Sequence, residues 1–129
     1  MNLEKIFKNL IILESLYLVF YVAIATYMEW DVPLTEEIEP FTLFDAIILI
    51  GAIFYYVVLY FLYKFKPIGK TLYLPILILL TIIGFGSSDY QEYDYQVYEV
   101  TLEYFSGLLS GMIIALLYFS DIKDKFLKT

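Results

Sequence analysis

Four long stretches of this chain are nearly free of charge, and short charged segments separate them. They lie between Lys8 and Glu29, between Asp45 and Lys64, between Lys70 and Asp89, and between Glu103 and Asp121. They contain 20, 18, 18 and 17 residues, and only the first is interrupted, by Glu14. About 20 helical residues cross a hydrocarbon core of about 30 Å, whereas barrel strands are shorter and alternate in polarity. We therefore predict transmembrane helices at 9–28, 46–63, 71–88 and 104–120.

The composition is that of a membrane protein, and it lacks the residue types that most catalytic and metal sites use. Hydrophobic residues make up 61% of the 129 residues, and the mean hydropathy is +0.74. Soluble domains contain about 45–50% apolar residues. The chain has no cysteine, histidine or arginine, so the commonest general base and the best metal ligands are missing. We expect no catalytic site, metal or cofactor, and the net charge of −7 argues against nucleic acid as a partner.

The lysines predict the orientation, because cytoplasmic segments carry the excess of basic residues. All eight basic residues are lysines, and they occur in three clusters, at 5–8, 64–70 and 123–128. The segments 29–45 and 87–103 contain none. We therefore predict an all-α membrane protein, a single domain over 1–129, folded as a four-helix antiparallel transmembrane bundle with cytoplasmic N- and C-termini. Its outer loops are 29–45 and 87–103, and its location is the cytoplasmic (inner) membrane of a bacterium. Thr42 and Asp45 match a capping box at the start of the second helix.

Glu14 is the strongest candidate for a functional residue within the membrane. It lies six residues beyond Lys8, at a depth where an acid costs about 2–3 kcal/mol and usually has a function. Tyrosines at helical spacing predict a polar site lined by Glu14, Tyr17, Tyr21, Tyr56 and Tyr60. The simpler interpretation is that Glu14 extends toward Lys8 or pairs with Lys64 or Lys70. We favour it, because one carboxylate without a second acid at depth makes a poor proton relay.

A second candidate is the outer segment before the last helix, where acids and tyrosines alternate at helical spacing. Tyrosine supplies a large, rigid contact area, so this pattern predicts a face for a basic protein partner. The residues of this face are Asp89, Tyr90, Glu92, Tyr93, Glu99 and Glu103.

A third feature is a run of small residues in the last helix, where two pairs recur four positions apart. Such residues let helices approach closely. The run comprises Ser106, Gly107, Ser110 and Gly111. It predicts close packing of this helix, either within the subunit or between two copies of the chain. The sequence therefore leaves open whether the protein forms a homo-oligomer.

Two functional hypotheses follow. The first is a non-enzymatic protein that sits in the lipid bilayer and binds another protein, at its acidic outer face or within the bilayer, as an immunity protein or an accessory subunit does. The second is a small ion-coupled transporter or channel component that uses Glu14 as a protonatable group. A transporter needs a polar, water-accessible interior with more than one ionisable group, so the sequence favours the first hypothesis.

Overall fold

The structure is a computed structural model that describes residues 2–29, 41–86 and 97–127. Four α-helices follow one another: α1 (Leu3–Glu29), α2 (Leu43–Tyr63), α3 (Pro67–Gly86) and α4 (Val97–Phe119). A short 3-10 helix, Asp121–Phe126, ends the described chain. Within those three ranges there is no β-strand.

Three of the helices are long and apolar enough to cross a membrane. Their qualifying parts are Leu3–Ile24, Leu43–Tyr63 and Thr101–Phe119, whereas the apolar part of α3, Pro67–Ile83, is shorter. Only 17–22% of the three longer segments is buried inside the chain, so most of their apolar side chains face outward. Outward apolar surface on this scale is unfavourable in water and normal in lipid. The chain is therefore a helical membrane protein.

The predicted capping box is confirmed at the start of α2. The Thr42 backbone N–H donates to Asp45 Oδ2 at 2.8 Å, and the Asp45 backbone N–H donates to Thr42 Oγ1 at 3.2 Å. These bonds satisfy amides that a helix start leaves without an intrahelical partner.

The connection from α2 to α3 is a tight turn built around Phe65. The Lys66 N–H donates to the Phe61 carbonyl at 2.8 Å, and the Phe65 N–H donates to the Leu62 carbonyl at 2.9 Å. This bond pair is the Schellman motif, whose left-handed position usually holds glycine. Phe65 occupies that position, with φ 54°. Pro67 then begins α3 at a position where proline's missing N–H costs nothing.

Helix α3 returns along α2, and a glycine lets the two backbones come together. A Cβ on Gly69 would lie 2.7 Å from the Leu62 backbone nitrogen, so no larger residue fits without a shift. Helix α1 packs against α4 and α2, and the 3-10 helix packs against α1 and α4.

The buried core lies between these helices and continues to the end that carries the chain termini. There Phe7, Phe65 and Phe126 pack together, with ring centroids 5.3–6.0 Å apart. Phe65 is half-buried, whereas Phe7 and Phe126 are fully buried. The other fully buried large side chains of the described residues are Leu59, Leu62, Tyr73, Ile113, Leu117, Ile122 and Val58.

Candidate functional site

Glu14 lies in the interior, where side chains from all four helices meet. It is 3% exposed and is the buried charged residue of the described chain. Tyr55 of α2 donates its hydroxyl to Glu14 Oε1. Tyr73 of α3 donates to Oε2 at 3.1 Å, and Ser110 of α4 donates to Oε1 at 2.9 Å. We call this arrangement of Glu14, Tyr55, Tyr73 and Ser110 the Glu14 centre.

The Glu14 centre satisfies its polar groups internally. The rings of Tyr55 and Tyr73 stack with centroids 6.2 Å apart, which places both hydroxyls on the same carboxylate. Among the described residues, no buried side-chain nitrogen or oxygen lacks a hydrogen-bond partner. A buried polar group without a partner costs about 1–3 kcal/mol. The centre therefore links four helices through one acceptor group.

The interpretation that Glu14 extends to a lysine is wrong. Lys8 pairs instead with Glu4, at 3.1 Å and one turn away on the same helix. Glu14 points inward because hydroxyl donors are within its reach there.

The tyrosines predicted to line the site lie elsewhere. Tyr17 donates its hydroxyl to the Leu102 carbonyl, and Tyr56 donates to the Ser15 carbonyl at 2.9 Å. Tyr60 is exposed on α2, and Tyr21 is also exposed. The sequence reading missed Tyr55 and Tyr73. One residue turns a helix by about 100°, so choosing Tyr56 over Tyr55 selected the wrong face.

From Ala46 to Tyr63 helix α2 is uncharged on every side, so its sequence does not mark which face is buried. In the structure the buried stripe runs through Tyr55, Val58, Leu59 and Leu62, which is the helical spacing of a core face. Tyr56 and Tyr60 lie outside that stripe. The sequence does not single out Tyr73 either, since α3 is apolar around most of its circumference.

The run of small residues in α4 divides between two faces. Ser110 points into the Glu14 centre, and Ser106 is half-buried. Gly107 and Gly111 are exposed, and an added Cβ would meet nothing within 4 Å. The two glycines therefore make no close helix contact within the described chain.

Most of the predicted acidic partner face lies outside the described residues. This holds for Asp89, Tyr90, Glu92 and Tyr93, and the side chain of Glu99 is not described either. Glu103 lies in the second turn of α4 and is exposed.

A groove runs between α1 and α4, and its volume is about 580 Å³. On its α4 side are Leu102 and Phe105. The Tyr17 hydroxyl reaches the Leu102 carbonyl, and the Tyr17 and Phe105 rings lie 5.6 Å apart, so these contacts connect the two walls. The α1 side is formed by Leu13, Leu16, Tyr17, Val19, Phe20 and Ala23. We call this feature the α1–α4 groove.

Neither feature resembles a metal or cofactor site. In residues 2–29, 41–86 and 97–127, no three residues of the types His, Cys, Asp or Glu come together. No protein-family model, curated protein or solved structure matches this chain.

Proposed function

We propose that this chain is a non-enzymatic integral membrane protein that acts by binding another protein within the bilayer. In this proposal α1–α4 form an antiparallel four-helix transmembrane bundle with both termini in the cytoplasm of a bacterium. Three long apolar helices and the segregation of lysines into alternate segments support this arrangement. The shorter apolar part of α3 is compatible with it, because α3 runs antiparallel to α2 and shares its environment.

The α1–α4 groove is the observation that carries the proposal. Lipid tails are as apolar as leucine, so helices associate in a bilayer through close packing and not through hydrophobicity. A concave surface supports such packing better than a convex one does. The groove is concave, and its lining side chains include Leu16 and Phe20, which are 61% and 58% exposed. A transmembrane helix of the partner would bury both.

The groove also lies at the end of α4 that follows the acidic, tyrosine-rich segment. Leu102 and Phe105 flank the exposed Glu103, the last acid of that segment. A partner helix in the groove would pass close to Glu103. A basic segment next to the partner helix would then be attracted to this acid, and the attraction would weaken with salt. Immunity proteins and accessory subunits are the classes that fit this mode of binding.

Filling the groove tests the proposal. Ala23 lines the groove. Ala115, nearer the C-terminal end of α4, is an exposed alanine that does not line it. Ala23→Leu should abolish co-purification of the partner with the tagged chain from native membranes, because the added side chain occupies the partner's place. Ala115→Leu should leave it intact. Equal recovery with both variants would overturn the proposal.

A second candidate function is an ion-coupled carrier that uses Glu14. The Glu14 centre supports it, because three hydroxyls surround a carboxylate at membrane depth. Glu14→Gln separates the two candidates, since an amide keeps the size of the side chain but removes its charge. Loss of the cellular phenotype at normal expression, together with full partner recovery, would favour the carrier. A retained phenotype would favour partner binding.

A further inference from the structure

One end of the molecule carries a concentration of lysines that the proposed function does not use. It comprises the segments 2–8, 64–70 and 121–127, which we call the basic end. These segments contain seven lysines and three acids, so their net charge is +4 while the whole chain carries −7.

The three segments of the basic end meet in space. Phe65 contacts both Phe7 and Phe126, with centroid distances of 5.7 and 5.3 Å. Lys8 and Lys125 lie over the Phe65 ring, 5.2 and 5.8 Å from its centroid. The lysines of three separate segments therefore form one surface.

Most of these lysines are free to bind an external anion. Glu4 pairs with Lys8 and Lys125, and the described residues contain no further ion pair. Five lysines thus have no carboxylate partner within the described chain: Lys5, Lys64, Lys66, Lys70 and Lys123. Three of them, Lys64, Lys66 and Lys70, follow one another through the α2–α3 turn.

Aromatic rings hold two of the turn lysines in place. Lys64 Nζ lies 6.0 Å from the centroid of Tyr60, and Lys70 Nζ lies 5.6 Å from that of Tyr118. The Tyr118 hydroxyl also donates to the Lys70 carbonyl at 3.0 Å, which ties α4 to the start of α3. Cation–π contacts of this kind orient an ammonium group without neutralising it.

The turn lysines adjoin surface of the kind that contacts lipid. Tyr60 is 58% exposed on the outward face of α2, and Ile68, within the turn region, is 52% exposed. Phe119, at the same end of α4, is also exposed. An aromatic and aliphatic belt directly beside unpaired lysines is the arrangement found at the level of lipid headgroups.

We propose that the lysines of the α2–α3 turn, Lys64, Lys66 and Lys70, bind the phosphate-bearing headgroups of anionic phospholipids. The headgroup supplies the negative charge that the chain lacks at this end, and its acyl chains lie along the exposed apolar surface of α2. A soluble anion could bind the lysines but would not cover the apolar surface of α2.

Spin-labelled lipids test this inference in bilayers that contain the full chain. The fraction of motionally restricted label is measured for phosphatidylglycerol and for phosphatidylcholine. The wild type should associate more strongly with phosphatidylglycerol, and Lys64→Gln with Lys66→Gln and Lys70→Gln should remove the preference. Each lysine should contribute about fivefold, at low salt, to the ratio of the association constants of phosphatidylglycerol and phosphatidylcholine. The corresponding triple Lys→Arg variant keeps the charge and should keep the preference.

Three outcomes would overturn the proposal. The first is equal association of both lipids with the wild type. The second is an unchanged preference in the triple Gln variant. The third is displacement of the lipid by inorganic phosphate, but not by chloride, at equal ionic strength, which would assign the site to a free phosphate. Circular dichroism and size-exclusion profiles that match the wild type show that each variant is folded. In the first of these cases, binding of a soluble acidic peptide would assign the surface to a protein.

Discussion

Replacing Glu14 by leucine removes the shared acceptor of the Glu14 centre. Leucine fills a similar volume, so the main consequence is that the hydroxyls of Tyr55, Tyr73 and Ser110 lose their partner. Hydrogen bonds between membrane helices contribute about 0.6 kcal/mol on average and about 1.7 kcal/mol at most. Three lost bonds therefore predict a decrease of about 2–5 kcal/mol in the free energy of unfolding. Glu14→Gln keeps an acceptor oxygen and should cost about 1 kcal/mol or less.

The decrease is measured by equilibrium unfolding in mixed micelles with increasing dodecyl sulfate, followed by circular dichroism. A double-mutant cycle isolates the direct contact. In a Tyr55→Phe background, Glu14→Leu should cost at least about 0.5 kcal/mol less, because one of the three bonds is already missing. Tyr56→Phe provides a matched control, since its hydroxyl donates to the Ser15 carbonyl and should not couple with Glu14.

Two results would refute this reasoning about the Glu14 centre. One is a Glu14→Leu variant as stable as the wild type. The other is equal coupling of Glu14 with Tyr55 and with Tyr56, because a direct hydrogen bond to only one of them cannot produce it.

Three other predictions concern packing, the turn and the topology. Gly69→Ala should destabilise the chain because its Cβ would clash with the α2 backbone. Gly111→Ala meets open space inside α4 and should be neutral or slightly stabilising, because alanine is the better helix former. Thermal unfolding in detergent compares the two variants, and equal stability would contradict the structure. The left-handed backbone at position 65 costs a residue with a Cβ about 1–2 kcal/mol, and glycine avoids this cost. Phe65→Gly and Phe65→Ala both lose the ring contacts, so the glycine variant should be the more stable of the two in the same assay. Reporter fusions after Lys66 should be active in the cytoplasm and those near Glu37 outside it, and a cytoplasmic signal near Glu37 would reject the four-span arrangement.

The number and order of the helices were predictable because charge and apolar length are properties of the sequence itself. Their starts were less so, since α1 begins at Leu3 and α4 at Val97, ahead of the predicted starts at 9 and 104. The start of α2 follows from Thr42 and Asp45, which satisfy their own local amides. The end of α2 was less predictable. A phenylalanine occupies its left-handed position, and the tertiary contacts of Phe65, with Phe7, Phe126 and two lysines, offset that cost.

The Glu14 centre was predictable only in part. A lone acid at depth identified Glu14 as the key residue, but its partners depend on how the helices rotate about their axes. In an apolar helix many rotations look alike, so Tyr56 seemed as suitable as Tyr55. Ser110 was assigned to helix packing because its hydroxyl has no visible partner until α1 and α4 are placed side by side. The α1–α4 groove has no sequence signal, since it arises from the separation of two apolar helices.

Site-specific photo-crosslinking in native membranes tests most directly whether the α1–α4 groove binds a partner. A photoreactive phenylalanine analogue replaces Phe20 in the groove or, as a control, Ile53 on α2; these residues are 58% and 59% exposed, so lipid contact alone would treat them alike. We predict one protein adduct of defined mass from position 20, absent from position 53 and lost when Ala23→Leu is added. Lipid adducts only, or the same protein adducts from both positions, would contradict a partner helix in the groove.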